Sequence, residues 1–333
     1  MNTNKDISIN ASPDIYAIVT NKIIEHLEKG VIPWQQPWAD AGQPQNLITK
    51  RPYRGINVWL LSTLNYSQNQ FLTFKQVKAL GGSIKKGEKA QEVIFWKMIQ
   101  KENPETKEME RKHFLRYYNV FNVSQCTGIP ESKLPEKTER KNDPIEECEK
   151  TINEMPNRPE IRHTEHRAFY NKVKDYVNMP KVETFKDSES YYGVLFHELV
   201  HSSGHQNRLN RKELIEKNAF GTERYAIEEL TAEMGASFLK SHAGFALEKL
   251  ENNAAYIQGW LKILKKDKKC IIYASAQAQR ATDYILNIQN IEKELEPVEK
   301  EFDRSNKIAE REMELKEISR KGKEQSVAME REC

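Results

Sequence analysis

The sequence predicts an α+β protein of two domains: an N-terminal mixed α/β domain, and a C-terminal, mainly helical domain with a small sheet. Three observations lead there. A chain of 333 residues is long enough for two hydrophobic cores. Its charge is uneven: residues 1–130 carry 17 Lys and Arg against 11 Asp and Glu, a net +6, while the remainder carries 35 against 38, a net −3. Strand-like aromatic runs lie in the first half, and the second is dominated by helical periodicity. The expected boundaries are a first domain at 10–126, a linker at 127–160, a second domain at 161–290 and a charged tail, helical or disordered, at 291–333.

Residues 14–29 fit an amphipathic helix, with Ile15, Val19, Ile23 and Leu27 at helical spacing and Gly30 to end it. Pro33-Trp34 and Pro37-Trp38 then make a stiff segment displaying two large rings. Basic, amide and aromatic residues alternate through Lys50-Arg51-Pro52-Tyr53-Arg54-Gly55-Ile56-Asn57, and Phe74-Lys75-Gln76 follows. A glycine-rich turn, 81–89, carries Lys85, Lys86 and Lys89. Residues 93–97 and 116–123 read as paired strands around a charged loop at 100–112. Rings stack on exposed bases and cations track phosphates, so this half suits a single-stranded nucleic acid. The candidate contacts are Trp34, Trp38, Arg51, Tyr53, Arg54, Asn57, Lys75, Lys85, Lys86 and Lys89. The competing reading puts the tryptophans in a small core.

Residues 127–160 are rich in Lys, Glu and Pro and read as an exposed linker. A helix is expected around 162–174, then an extended piece, Asp175–Pro180, which could be an edge strand that pairs with a peptide. Next comes Phe196-His197-Glu198-Leu199-Val200-His201. Residues four apart share a helix face, so His197 and His201 can hold one ion, and Glu198 can act as the base on a polarised water. Ser202-Ser203-Gly204 reads as the helix stop. A histidine six residues past the second ligand would make a metzincin, but that position is Asn207. His205 lies eight residues after His197, about 12 Å along a continuous helix, and joins only if the chain turns sharply at Gly204.

The third ligand is expected from the helix 225–239, where Glu229 and Glu233 lie four apart. Glu229 would bind the metal, with Glu228 as the alternative, while Glu233 and His205 would support the ligands from behind. Gly235 and Ala236 would let this helix approach the first closely. The cofactor expected is Zn2+ and the substrate a protein or peptide. His26, His113, His163, His166 and His242 read as ordinary. Residues 253–265 and 274–290 read as further helices. The four cysteines show no metal-binding spacing, which fits reduced thiols. No apolar run approaches the roughly 20 residues that span a bilayer, and the N-terminus has no apolar signal region, so a cytoplasmic protein with no membrane partner is expected.

Taken together, these motifs resemble the ArdC family of plasmid-borne antirestriction proteins. The N-terminal likeness rests on the two Pro-Trp pairs, Arg51–Asn57, Leu72–Gln76, Lys86–Lys89 and Val120–Asn122. The C-terminal likeness rests on Phe196–His201, Gly204-His205, Arg208-Leu209 and Glu228–Glu233. The resemblance implies a single-stranded-DNA-binding domain followed by a zincin-like metallopeptidase domain, and a role in shielding incoming DNA during conjugation. The second half is also similar to the ImmA/IrrE and SprT metallopeptidase groups, and the ImmA/IrrE spacing favours Glu229 over Glu228. Many family members have Trp-Thr where this chain has Ser202-Ser203. Two alternatives stand beside this: a DNA-binding protein whose metal is only structural, and a peptidase that cuts a repressor in a regulatory switch.

Overall fold

The computed structural model describes residues 14–35, 43–64, 66, 68–102, 109–134, 144–215, 222–245 and 254–288. Trp38 and the tail 291–333 lie outside them. Helix α1, Ile15–Glu28, starts where the Asp14 carboxylate accepts from the Ala17 N–H, and it buries Val19, Ile23 and Leu27. Strand β1 (Gln45–Asn46) and helix α2 (Ile56–Ser62) follow. Strand β2 (Gln70–Thr73) runs directly into α3 (Phe74–Ala79), because Thr73 and Gln76 form a reciprocal capping box.

Strand β3 (Ser83–Ile84) precedes the long hairpin of β4 (Gln91–Glu102) and β5 (Met109–Asn122), after which β6 (Cys126–Thr127) pairs with β3. The main sheet has the order β1-β2-β5-β4, parallel between β1 and β2 and antiparallel elsewhere. The ladder runs without a break from Gln91↔Val120 to Glu102↔Met109. Most of the charged stretch expected to be a loop is therefore strand, because backbone pairing does not need an apolar side chain at every position.

The expected linker contains helix α4, Pro144–Glu154. Cys148 and Ile152 on one face of it, and Met155 just past its end, enter the core of the second half, and the Tyr192 hydroxyl donates to Glu149 at 2.6 Å. Three apolar residues at helical spacing suffice to anchor a segment whose composition is otherwise that of a linker.

The helix expected at 162–174 is absent. Three short strands stand there: β7 (Glu160–Arg162), β8 (Phe169–Asn171) and β9 (Tyr176–Asn178). Buried Asn178 explains the change. Its side chain accepts from the N–H groups of Thr164 and Glu165 and donates to the carbonyls of Glu165 and Arg167, so it replaces helical hydrogen bonding with a pinned loop. The order is β7-β9-β8. Of the extended piece expected at 175–180, Tyr176–Asn178 is strand, while Asp175 is a turn residue with φ 50°; the strand is central, flanked on both sides, and not an edge open to a peptide.

Helix α5 spans Ser188–Ser203, capped by Asp187 at its start and Gly204 at its end. A short α6 (Lys212–Ile215) leads to α7, Glu223–Ala243, which Thr222 caps and Gly244 terminates in the left-handed conformation (φ 95°). Helices α8 (Ala254–Lys266) and α9 (Cys270–Ile285) complete the fold, with Ala274, Ala276, Ala278 and Ala281 of α9 buried. A Cβ placed on Gly235 would lie 2.7 Å from Val200 Cγ2, so α5 and α7 touch almost backbone to side chain, as the small residues predict.

The two halves share an apolar seam. Trp59 of α2 stacks on Phe238 of α7 at 4.6 Å, and fully buried Trp34 meets Trp260 edge-on at 5.1 Å. Arg54 pairs with Asp283, and the Gly55 N–H donates to the Gln279 side chain at 3.1 Å. No helix among the described residues is long and apolar enough to cross a membrane.

Candidate metal centre

Helix α5 places His197 and His201 one turn apart, and their Nε2 atoms lie 3.0 Å from each other. Helix α7 crosses beside them and supplies Glu229, whose two oxygens lie 3.6 Å from the two Nε2 atoms. One donor atom from each of these residues lies within 4.8 Å of the others, and among the described residues this is the one such group. The remaining nitrogens face carboxylates. Nδ1 of His201 is 3.0 Å from Glu228, and Nδ1 of His197 is 3.5 Å from Glu233. Each imidazole is therefore held from behind while its other nitrogen is turned inward. Glu198, next in sequence to His197, is buried beside the pair.

Glu228 belongs to a network that spacing alone does not reveal. Buried Arg211 donates to both of its oxygens, at 3.0 and 2.6 Å, and also to the Ser203 hydroxyl and the Val200 carbonyl. Gly204 makes room for it, since a Cβ there would sit 2.8 Å from the guanidinium carbon. Burial pushes the Glu228 carboxyl up, but Arg211 and His201 outweigh it and bring it down to about 2. Burial also disfavours a charged His197, and here too the surroundings prevail: Glu229, Glu233 and Glu198 raise it to about 9. Glu229 is pushed up by burial and lowered further by the two histidines, with Tyr225, one turn before it, adding a hydrogen bond. Four carboxylates gather around two imidazoles and one guanidinium. That balance, together with two nitrogens and one oxygen turned inward, fits a divalent cation.

His205 does not support the ligands as expected. The chain turns out of the helix at Gly204, and the His205 ring lies 4.0 Å from Asp175 while its Nδ1 accepts from the Asn207 N–H.

The expected nucleic-acid contacts divide. Arg51, Lys75, Lys85, Lys86 and Lys89 are exposed, with Lys85 also donating to the Ser124 carbonyl at 2.7 Å. Four others are spent inside the fold. Trp34 is sealed in the seam, and Tyr53 is buried against Phe71. Arg54 is engaged by Asp283. Asn57 donates to and accepts from the backbone of Ile94, both at 2.8 Å, and so satisfies the outer edge of β4 at that residue.

Two imidazoles four residues apart on one helix, with a carboxylate brought in by a second, define a zincin-like metallopeptidase domain. A family model of that description matches residues 146–277. The N-terminal half matches the N-terminal domain of anti-restriction factor ArdC over residues 13–121. The chain belongs to the ArdC antirestriction family.

It is similar to a metal-free crystal structure of ArdC from plasmid R388, with 33% identity and a TM-score of 0.68, over 84% of this chain and 100% of that one. It is equally similar to the Mn(II)-bound form of that protein, at 33% identity and a TM-score of 0.67, over 83% of this chain and 98% of that one. The uncharacterized protein y4eC of Sinorhizobium fredii (strain NBRC 101917 / NGR234) is 31% identical over 82% of this chain and 91% of its own length. A DNA primase TraC of Escherichia coli is also 31% identical over 80% of this chain, which spans only 26% of that much longer protein.

Proposed function

We propose that this chain is a single-stranded-DNA-binding antirestriction protein of a mobile element, protecting incoming strands during conjugation, and that its second half is a zinc peptidase centre. The observation that carries the metal reading is the approach of His197, His201 and Glu229 donors to within 4.8 Å of one another. Family membership, the exposed lysines of the 81–89 turn and kinship to a DNA primase support the DNA reading. Residues 10–126 serve as the DNA-binding domain and 161–290 as the metal domain, with α4 extending the latter toward residue 144.

His197, His201 and Glu229 would hold the ion, with Zn2+ favoured by two imidazoles and a carboxylate; the Mn(II)-bound R388 protein argues that the site type accepts divalent cations more generally. When bound, such an ion supplies Lewis-acid polarisation of water or of a scissile carbonyl. The chain's own residues do the rest. Glu198 takes a proton from the attacking water and returns it to the leaving amine. Glu228 and Glu233 face Nδ1 of the two rings and so turn Nε2 of each toward the position an ion would take, where binding would displace any proton.

The test is metal analysis of the purified full chain, combined with peptidase assays on Glu198→Ala and His197→Ala. Stoichiometric zinc retained in Glu198→Ala, lost in His197→Ala, with proteolysis abolished in both, supports the reading. Proteolysis by Glu198→Ala at the wild-type rate overturns it. A wild type that binds zinc and cleaves nothing across a peptide library leaves the metal structural.

A further inference from the structure

The β4–β5 register pairs Val93 with Tyr118, Phe95 with Arg116 and Lys97 with Phe114. Directly opposed residues of an antiparallel pair rise on the same side of the sheet, so all six share one face. That face begins in the core, where Val93 is fully buried, and then emerges. Phe95, Phe114 and Tyr118 stay 41%, 39% and 38% exposed. Phe95 and Tyr118 meet edge-on at 5.6 Å, and the Arg116 guanidinium lies 5.9 Å from the centre of the Phe114 ring. Lys97 is exposed as well. No Asp or Glu stands on this face among positions 91, 93, 95 and 97 or their partners 114, 116, 118 and 120.

Contiguous exposed rings mark an interaction surface. Here the chemistry selects the partner. Cations set between rings, with no carboxylate among these eight positions, complement a polyanion. Flat π faces complement bases that are unpaired and free to splay, which a duplex does not offer. We propose that this face of the β4–β5 hairpin is the stacking platform for single-stranded DNA, with Phe95 and Tyr118 receiving bases and Arg116 and Lys97 meeting phosphates. The inference rests on the single-strand reading above and moves its centre away from Trp34, Tyr53 and Asn57, which the fold consumes.

The experiment is fluorescence anisotropy of a labelled oligothymidine with the full chain, across a salt series. Phe95→Ala and Tyr118→Ala should each weaken binding ~5- to 150-fold, the range that base stacking on one ring commands. Arg116→Ala should flatten the slope of log affinity against log salt by about 0.7, one phosphate contact on a single strand, while Phe95→Ala leaves the slope unchanged. Phe95→Trp should keep affinity and report stacking by quenched emission. Equal unfolding midpoints for wild type and variants guard against misfolding.

A Phe95→Ala/Tyr118→Ala variant that binds as wild type does overturns the platform and leaves the single-strand reading standing. A wild type that does not bind oligothymidine even at low salt sinks that reading, and the platform with it. A self-associating wild type that turns monomeric in Phe95→Ala with DNA affinity intact also overturns the platform, because the face would then serve a second copy of the chain.

Discussion

Nδ1 of His201 lies 3.0 Å from the Glu228 carboxylate, so Glu228 grips the ring on the side opposite Glu229. The carboxylate that sequence spacing leaves as an alternative ligand is turned toward Arg211 instead. A carboxylate behind a ligand histidine fixes its tautomer and raises its basicity, and losing one commonly costs ~10- to 100-fold in metal affinity. Glu228→Gln should show a loss of that size in a chelator competition. It should also lower thermal stability, because Arg211 would be left buried without its counter-charge, at a cost of about 3–5 kcal/mol. Arg211→Met combined with Glu228→Gln should recover stability but not metal affinity. Recovery of both would make the network a packing feature only.

Gly235 sets the distance between the two helices that carry His197, His201 and Glu229. A methyl group there would meet both Val200 methyls, at 2.7 and 3.0 Å, inside a packed core, and a β-branched side chain has little freedom to yield. Gly235→Ala should therefore destabilise the fold by about 1–3 kcal/mol and move Glu229 relative to the histidines. Calorimetric metal titration should show weaker binding, and Val200→Ala in the same chain should restore much of it. Unchanged metal affinity in Gly235→Ala would mean that helix spacing does not govern the donors.

Periodic features were legible in the sequence. The α+β class and the α1, α5 and α7 helices follow from apolar spacing and capping residues, and the small residue at 235 announces close helix contact. Features set by single polar side chains were not. Asn178 converts a helix-like stretch into strands, and Cys148, Ile152 and Met155 anchor a segment that composition reads as linker. Nor does interleaving of basic and aromatic residues say which rings face solvent. Tyr53 and Trp34 look like stacking residues in one dimension, while Phe95 and Tyr118 look like ordinary strand. Arg211 could have been suspected from the Glu228-Glu229 doublet, since two adjacent carboxylates on a half-buried helix need a cation nearby.

The seam between the halves makes a further prediction. Trp59 is fully buried and stacked on Phe238, which lies on the helix that also carries Glu229. Trp59→Ala should cost about 3–5 kcal/mol. Because the seam belongs to both halves, wild-type unfolding in urea should be one transition, with near-ultraviolet signals and metal release coinciding. Two separated transitions would show that each half is stable without the other, and Trp59→Ala would then lower only the first half's midpoint.

The loop between β8 and β9 carries a pH-dependent latch. Arg208 donates to both oxygens of Asp175, at 2.9 and 3.0 Å, and the Tyr170 hydroxyl donates to the same carboxylate at 2.7 Å. Burial pushes the Asp175 carboxyl up, but the Arg208 and Tyr170 hydrogen bonds outweigh it, and the net displacement is downward. A carboxyl depressed on folding adds stability that is fully present above its unfolded value, about 3.9, and is lost as pH falls through the lower folded value. The unfolding free energy of the wild type should therefore exceed that of Asp175→Asn at about pH 5, and the two should converge in more acidic solution. The margin should be modest, because the carboxylate is about one-third exposed and solvent screens the pair. Urea titrations of both proteins at a series of pH values decide the matter: a gap that stays flat into strong acid means that the Asp175 charge contributes nothing and only the shape of its side chain matters.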